Sequence, residues 1–352
     1  MNTPAILLLA AGALAALASP ILAQQRGGGE RLPRGCRAEI VKLCGMDRSQ
    51  MRTCLAEKAS QLSETCCTAL RERMEQRGGG ERRSQGAGAG QATPPTRTLS
   101  YGSDSLQGLD LWVPEGADKA PLVLFVHGGG WKRGSKDNAM GRAMPAHMIE
   151  QGYAFASIDY RLVHAATVEQ QAADVAAALA HLLENADWLG IDRSRVVLTG
   201  HSAGAHLVAL VGTDERYLQA AGLSFADIDG VMPNDGAAYD VAAQIADAGP
   251  MMKGTYSQAF GTDPVRQKAL SPIWQAGAPN APAFLLLHVQ RPDAAAQSKT
   301  LAEALRAGGS QAEVAGFPGE GLRGHMEINR KLGQPDYPVT PVMDAWLRKV
   351  LG

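Results

Sequence analysis

The feature that most constrains this chain is the pentapeptide Gly-His-Ser-Ala-Gly at residues 200–204. It follows a strand-like segment at 195–199 and precedes an apolar, helix-like run at 205–211. A strand, a Gly-x-Ser-x-Gly turn and a helix in this order are typical of a nucleophile elbow, which exposes the serine above a sheet. Gly200 and Gly204 lack a Cβ, so the strand and the helix can approach closely. A purely structural glycine turn is the alternative, but this context favours Ser202 as a nucleophile.

The chain from residue 98 onward alternates strand-like and helix-like patterns. Leu122–Val126, Tyr153–Ile158 and Phe284–Leu287 are apolar runs of strand length. Val168–Leu183 carries apolar residues at the spacing of one helical face. This alternation predicts an α/β fold with a mostly parallel central sheet and helices on both faces. Leu106–Val113 is expected to add an antiparallel strand at the start.

A glycine-rich segment, His127-Gly-Gly-Gly-Trp131, directly follows the predicted strand at 122–126. Main-chain amides aimed at a developing oxyanion contribute roughly 3–4 kcal/mol each to acyl transfer. We expect Gly129 and Gly130 to supply such donors together with the Ala203 amide. A phosphate-binding loop is the competing interpretation, but no Gly-Lys-Ser/Thr follows. His127 itself is expected to be a structural hydrogen-bonding residue.

A serine hydroxyl needs a general base, because its proton is held too tightly at neutral pH. His325 follows the predicted last strand, Ala312–Phe317, and we expect it on a glycine-rich loop over the edge of the sheet. His201 adjoins the serine but cannot turn back toward it within an elbow. The remaining histidines fall on predicted helices, early loops or a strand end: His147, His164, His181, His206 and His288.

An acid is expected between the serine and the histidine in chain order. Asp293 follows the predicted strand Phe284–Leu287 and precedes His325, so we expect it to orient the imidazole. Asp235 and Asp240, after the preceding strand-like segment, are the rival candidates. A surface role for Asp293 is the further alternative.

These motifs together resemble the carboxylesterase branch of the α/β-hydrolases, which includes hormone-sensitive-lipase-like esterases, kynurenine formamidases and feruloyl/acetyl-xylan esterases. The resemblance covers nearly all of residues 98–350 and also draws on the Ser-Ile-Asp-Tyr-Arg run at 157–161. It implies Ser202, Asp293 and His325 as a catalytic triad, with Gly129, Gly130 and Ala203 as the oxyanion hole. Many relatives carry His-Gly-x-x-Asp in the acid loop, whereas this chain reads Val-Gln-Arg-Pro-Asp after His288.

The N-terminal region predicts export. An apolar, alanine-rich run ends near Ala23, is short for a membrane span and is followed at once by polar residues, which favours a signal peptide at 1–23 over an uncleaved anchor. We expect a linker at 24–32, a cysteine-rich helical module at 33–74, a flexible linker at 75–97 and a catalytic domain at 98–352. The linkers contain two copies of Gln-Arg-Gly-Gly-Gly-Glu-Arg and cannot bury enough apolar surface to order themselves.

All five cysteines lie in the predicted module: Cys36, Cys44, Cys54, Cys66 and Cys67. Clustered cysteines in an exported chain favour disulfides, and no Cys-x-x-Cys pair or nearby histidine supports a metal site. The first four resemble the cysteine-rich repeat of the Golgi cysteine-rich glycoprotein, in which paired cysteines cross-link short helices. Cys67 is additional, and the connectivity is not readable from the sequence.

Charge is divided unevenly along the chain. Residues 24–97 carry 14 Lys/Arg against 8 Asp/Glu, a balance of +6, whereas residues 98–352 carry 20 against 27, a balance of −7. A basic arm could contact an anionic envelope or polysaccharide, although an arginine-rich solubilising linker is the simpler interpretation.

Aromatic residues make up only 5% of the chain, which argues against a nucleic-acid-binding surface built on stacking.

The sequence therefore predicts a secreted or periplasmic serine carboxylesterase acting on short-chain or polysaccharide-linked esters through an acyl-enzyme, with no cofactor. An arylformamidase-like amide hydrolase is one alternative. A non-catalytic envelope-binding protein on a hydrolase scaffold is another. A metallohydrolase is disfavoured, because no His-Glu-x-x-His motif occurs.

Overall fold

The computed structural model describes residues 34–44, 62–63, 65–66, 93–137, 141–277 and 279–352. The chain divides into two units, residues 1–89 and 90–352. The predicted signal peptide and the linker at 24–32 lie outside the described residues, as does most of the linker at 75–97. Among the described residues, no helix has the length and apolar character needed to cross a membrane.

The first unit contains one described helix, α1 (Arg34–Cys44). Cys36 forms a disulfide with Cys66, and the side chains of Ile40 and Leu62 pack against this bond. Cys44 is also disulfide-bonded. The expected cross-linking is therefore present for three of the cysteines, whereas Cys54 and Cys67 lie outside the described residues, and the resemblance to the Golgi repeat stays a prediction.

The second unit is built on an eight-stranded sheet. Its order is β1-β2-β4-β3-β5-β6-β7-β8, with β1 and β2 antiparallel to their neighbours and all other pairs parallel. The mostly parallel sheet and the early antiparallel strand are thus as predicted, while β1 was not anticipated. The strands are β1 (Arg97–Ser100), β2 (Gly108–Trp112), β3 (Ala120–Val126), β4 (Ala154–Ile158), β5 (Ile191–His201), β6 (Gly230–Asn234), β7 (Ala283–Gln290) and β8 (Gln311–Glu320).

Helices connect the strands and cover both faces of the sheet. The long helix α3 begins at Val168, where Thr167 and Gln170 form a reciprocal capping box. The described helices of this unit are α2 (Met144–Glu150), α3 (Val168–Glu184), α4 (Ala186–Leu189), α5 (Ala203–Val211), α6 (Arg216–Ala220), α7 (Val241–Asp247), α8 (Pro250–Phe260), α9 (Pro264–Ala269), α10 (Pro272–Gln275), α11 (Pro292–Ala307), α12 (Gly321–Lys331) and α13 (Val339–Leu351), with a 3-10 turn at Phe225–Asp227.

Two hydrophobic clusters lie on opposite faces of the sheet. Successive side chains of a strand point to opposite faces, so Val196 and Leu198 belong to one cluster and Val197 to the other. The carboxyl ends of β3, β5, β6 and β7 meet at one edge of this double-sided core. Ligand sites in such sheets lie outside the carboxyl ends of the strands, which directs attention to this edge.

Candidate active site

The turn between β5 and α5 holds Ser202 in a strained backbone conformation. Ser202 has φ 58° and ψ −116°, outside the usual regions for a side-chain-bearing residue. A Cβ on Gly204 would overlap the carbonyl group of Val126, and one on Gly200 would overlap the carbonyl of Gly204. The close approach of strand and helix therefore requires both glycines. Ser202 is partly exposed, as the elbow interpretation predicts.

The glycine segment after β3 lies directly beside the serine. A Cβ on Gly128 would lie 3.0 Å from the Cβ of Ser202 and 2.8 Å from the His201 carbonyl oxygen. Gly129 and Gly130 have φ of 129° and 63°, values that favour glycine. Ala203, as the first residue of α5, carries an N–H without a partner inside its helix. The three predicted oxyanion donors thus belong to two backbone segments that meet at Ser202.

Buried aromatic side chains fix the two ends of this glycine segment, His127 and Trp131, through hydrogen bonds and ring contacts. The Tyr160 hydroxyl donates to the His127 carbonyl oxygen at 2.9 Å, and the two rings stack at 4.2 Å. The Trp131 indole N–H donates to Nδ1 of His206 at 3.3 Å, and its carbonyl accepts from Gln171 at 2.7 Å. Burial lowers the pKa values of both His127 and His206 to about 4, so both rings are neutral. His127 is a structural residue, as expected.

His325 lies on helix α12 rather than on the predicted loop. The glycines at 319, 321 and 324 favoured a loop, but Gly319 is the penultimate residue of β8 and Gly321 the first residue of α12, with φ of 135° and 51°. His201, the residue before the nucleophile, contacts His325 in two ways. Its Nε2 lies 2.8 Å from the His325 carbonyl oxygen, and the two rings lie 4.4 Å apart. Burial lowers the pKa of His201 to about 3, so its neutral ring can donate this hydrogen bond.

The carboxylate beside His325 belongs to Asp235, which follows β6. Nδ1 of His325 lies 2.6 Å from Oδ2 of Asp235, whose side chain is fully buried. The Val289 N–H donates to Oδ1 at 3.0 Å, and Arg291 Nη1 donates to Oδ2 at 2.8 Å. Burial alone would raise the pKa of Asp235, but the hydrogen bond from His325 and the charge of Arg291 outweigh it and hold the pKa below its usual value. Asp235 is therefore ionised at neutral pH.

Asp293, the acid expected from the sequence, is paired elsewhere. Its Oδ2 accepts from Arg291 Nη2 at 2.9 Å and from Gln244 Nε2 at 3.2 Å. It lies in the first turn of α11, where the Arg291 side chain separates it from the imidazole. The third candidate, Asp240, caps α7 by accepting from the Ala243 N–H at 3.1 Å. The hydrogen bond expected between Asp293 and His325 is thus made by Asp235 instead.

Two backbone hydrogen bonds link the strand ends that carry these groups. The Ser202 N–H donates to the Asn234 carbonyl oxygen at 3.1 Å, and the Asp235 N–H donates to the Leu287 carbonyl oxygen at 2.8 Å. Asp235 itself has φ 45°. Both hydrogen bonds are made by the single peptide group between Asn234 and Asp235, at the end of β6, so the backbone of the nucleophile and that of the buried carboxylate are fixed to the same peptide plane.

The arrangement can carry out nucleophilic chemistry without a metal. A partly exposed serine, an imidazole held by an ionised carboxylate and backbone amides at a helix start are the parts that acyl transfer requires. Within the part of the chain that the structure describes, no group of three or more His, Cys, Asp or Glu side chains could hold a metal ion.

Comparison with known families identifies this architecture. The BD-FAE family profile matches residues 109–305, more than half of the chain. The chain belongs to the BD-FAE family. Curated relatives of this BD-FAE protein include esterase LipC of Mycobacterium tuberculosis, 37% identical over 118 residues that span 33% of this chain and 29% of LipC. Isoprenylcysteine alpha-carbonyl methylesterase ICME of Arabidopsis thaliana is 33% identical over 114 residues, 32% of this chain and 26% of that enzyme. The matched segment therefore spans about a third or less of the length of these relatives.

Solved structures share the fold at low sequence identity. Esterase 2 of Thermogutta terrifontis matches with a TM-score of 0.59 and 22% identity, covering 73% of this chain and 95% of that one. Esterase B of Lactobacillus rhamnosis matches with a TM-score of 0.60 and 20% identity, covering 81% of this chain and 94% of that one. These likenesses confirm the predicted α/β-hydrolase fold of the BD-FAE protein.

Two residues at the site were not expected from the sequence: Arg291, which contacts both Asp235 and His325, and His201, whose ring contacts His325. Arg291 stands in the acid loop itself, where Val-Gln-Arg-Pro-Asp replaces the spacing of relatives. A cation two residues before the expected acid was the available signal. No comparable signal distinguishes His201, because its contact with His325 spans 124 residues of chain.

Proposed function

We propose that this BD-FAE protein hydrolyses carboxylic esters through an acyl-enzyme formed on Ser202. The observation that carries the proposal is the strained elbow of Ser202, whose preceding residue His201 contacts a His325 ring held at Nδ1 by the buried, ionised Asp235. The sequence similarity to LipC and ICME, both named esterases, supports the same reaction class.

In the proposed reaction, Ser202 Oγ attacks the ester carbonyl carbon while Nε2 of His325 accepts the hydroxyl proton. The carbonyl oxygen gains the negative charge, which the Gly129, Gly130 and Ala203 amides stabilise. The C–O bond to the alcohol then breaks, and the imidazolium returns the proton to the leaving oxygen. Water repeats the sequence on the acyl-enzyme and releases the carboxylic acid. Asp235 holds the imidazole with its proton on Nδ1 and stabilises the imidazolium.

Replacement of the serine tests this proposal. Ser202→Ala should lower kcat for p-nitrophenyl butyrate by about 10⁴-fold or more, because the variant has no nucleophile. Ser194→Ala, at an exposed serine bonded to Asp192, is the matched control and should keep wild-type turnover. A fluorophosphonate probe should label the wild-type protein at one site per chain, found on Ser202 by peptide mass spectrometry. Turnover by Ser202→Ala, or no labelling of the wild type, would remove the proposal and favour a non-catalytic scaffold.

We propose, further, that the physiological substrates are short-chain or polysaccharide-linked esters. The motif combination at 127–131 and 200–204 supports hydrolysis of carboxylic esters, and the excess of basic residues at 24–97 supports an enzyme acting near an anionic polymer. A panel of acetyl, butyryl and octanoyl esters, acetylated xylan, methyl ferulate and N-formylkynurenine decides the class. Highest kcat/KM on the formamide would replace this proposal with an amide hydrolase.

We also propose that the protein is exported. The apolar run before Ala23 and the Cys36–Cys66 disulfide support export, since disulfides persist in oxidising compartments. Mass spectrometry of the protein from periplasmic or culture fractions should give an N-terminus near Gln24. An intact N-terminus in the cytoplasmic fraction would contradict export.

A further inference from the structure

A guanidinium stands between the two carboxylates that the sequence offers as acids. Arg291 Nη1 lies 2.8 Å from Asp235 Oδ2, and Nη2 lies 2.9 Å from Asp293 Oδ2. The same Nη1 lies 2.6 Å from Nδ1 of His325. We call this chain of contacts, Asp235–Arg291–Asp293, the Arg291 bridge. Its guanidinium is mostly buried, with 14% of the side chain exposed, so water screens its charge only weakly.

The three atoms Nδ1, Oδ2 and Nη1 form a close triangle with competing hydrogen-bonding demands. An imidazole that acts as a base through Nε2 must keep its proton on Nδ1 and donate it to Asp235. Arg291 has only N–H donors, so its contact with Nδ1 is favourable only when Nδ1 is deprotonated. The guanidinium therefore favours the tautomer that cannot accept the serine proton, while Asp235 favours the tautomer that can.

Protonation of His325 during the reaction also changes the charge balance of this cluster. When His325 takes the proton, an imidazolium forms beside the guanidinium, and Asp235 alone would face two cations. Asp293 supplies a second carboxylate on the far side of Arg291, so the cluster then contains two positive and two negative groups. Burial alone would raise the pKa of Asp293, but Arg291 outweighs it and holds the pKa below its usual value, so this carboxylate is ionised.

We propose that Arg291 and Asp293 are positioning residues that set the proton on His325: the guanidinium competes with Asp235 for Nδ1, and Asp293 offsets that competition. Asp293 thereby serves the histidine through Arg291 rather than by direct contact. This inference rests on the proposed function, since it assigns roles around the same imidazole.

The other titratable groups near His325 are neutral or lie on α12, so we assign the charge balance at its Nδ1 to Asp235, Arg291 and Asp293. His201 on β5 is neutral, because burial lowers its pKa to about 3. Tyr337, before α13, is neutral, because burial and the charges of Glu327 and Asp235 raise its pKa to about 12. The charged groups on α12 itself are Arg323, Glu327, Arg330 and Lys331, of which Glu327 and Lys331 form a partly exposed ion pair.

The pH profile of kcat/KM for p-nitrophenyl butyrate separates this role from a structural one. Arg291→Met removes the cation and leaves two carboxylates, so the acidic limb should move up by about one pH unit. Asp293→Asn leaves two cations on one carboxylate, so the limb should move down by about one unit and kcat should fall about tenfold. In the double variant the charges balance again, so kcat should recover to within about threefold of Arg291→Met, with the limb between those of the single variants.

Three controls make the result decisive. Arg291→Lys keeps the charge and should leave the limb close to wild type, whereas Glu313→Gln removes an exposed carboxylate paired with Lys349 and should leave the profile unchanged. Fluorophosphonate titration of Ser202 gives kcat per competent site and excludes misfolded protein.

If both single variants lose activity without opposite displacement of the limb, and the double variant is no better than Asp293→Asn, the inference is overturned while Ser202-dependent esterase activity stands. Absence of labelling and turnover in the wild type would overturn the proposed function instead.

Discussion

The two halves of the candidate site are held together by different physical means. The nucleophile half, residues 126–131 and 200–211, relies on backbone geometry and on neutral, buried rings such as His127, His201 and His206. The acid–base half, at 234–235, 289–293 and 325, relies on ionised side chains in contact, with Arg291 at their centre. The nucleophile half requires that its glycines carry no Cβ and that its buried histidine rings carry no charge. The second depends on how several charges balance.

The largest expected effect tests which acid belongs to the second half. Asp235→Asn should lower kcat by about 10³–10⁴-fold, because the amide can no longer hold the proton on Nδ1 of His325. Asp293→Asn is the matched comparison and should cost about tenfold. Steady-state kinetics on p-nitrophenyl butyrate measures both. A larger loss at Asp293 than at Asp235 would return the acid to the loop predicted from the sequence.

The neutral rings of the nucleophile half should make the fold acid-sensitive. Burial lowers the pKa of His201 to about 3 and those of His127 and His206 to about 4, whereas an unfolded histidine titrates near 6.5. Below pH 6.5 the unfolded chain binds protons that the folded chain does not, so this stability is complete above 6.5 and is lost as pH falls toward 4. At pH 5.5 each ring should cost about 1.4 kcal/mol, or about 4 kcal/mol in total.

Urea unfolding at pH 7.5 and 5.5 measures this loss. His206→Gln should reduce the difference in the free energy of unfolding between the two pH values by about a third, relative to its own value at pH 7.5. His181→Gln, on the partly exposed side of α3, is the control and should leave the difference unchanged. A free energy of unfolding that stays level between these pH values would mean that the rings are charged in the fold.

The backbone requirement of the nucleophile half can be tested at Gly128. A Cβ there would lie 2.8 Å from the His201 carbonyl oxygen and 3.0 Å from the Ser202 Cβ, so Gly128→Ala must displace one segment. Because misplacement of about 1 Å can cost about 10²-fold, kcat should fall by about that factor. Gly116→Ala, at a positive-φ glycine with open space around it, should strain the backbone but preserve kcat. Equal losses in the two variants would argue against a special role for the glycine segment.

The smallest effect concerns the contact that joins the two halves. His201→Phe keeps a ring but removes the Nε2 group that contacts the His325 carbonyl oxygen. The lost hydrogen bond should cost about 1–2 kcal/mol, seen as about a tenfold fall in kcat with little change in KM. His201→Gln, which can still donate, should recover part of this loss. Unchanged kcat in His201→Phe would show that the halves are positioned independently.

The sequence could predict the nucleophile half because its signals are local. Ser202 and its flanking glycines, and the segment at 127–131, lie within short stretches whose strand and helix context is readable. The acid could not be read in this way. Two adjacent strand ends each offer an aspartate, and only the sheet and the intervening Arg291 determine which reaches the imidazole. The helix around His325 was missed because three nearby glycines favoured a loop, although Gly319 lies at the end of β8, Gly321 begins the helix and Gly324 lies in its first turn.

The peptide group between Asn234 and Asp235, at the end of β6, limits which sequence changes this protein can accept in evolution. The Asn234 carbonyl holds the backbone of the nucleophile, and the next N–H, that of Asp235, is fixed to Leu287. Side chains along this segment can be exchanged without altering those two attachments, but gaining or losing a single residue would shift both at once. We therefore expect substitutions in this segment to be tolerated far more readily than insertions or deletions.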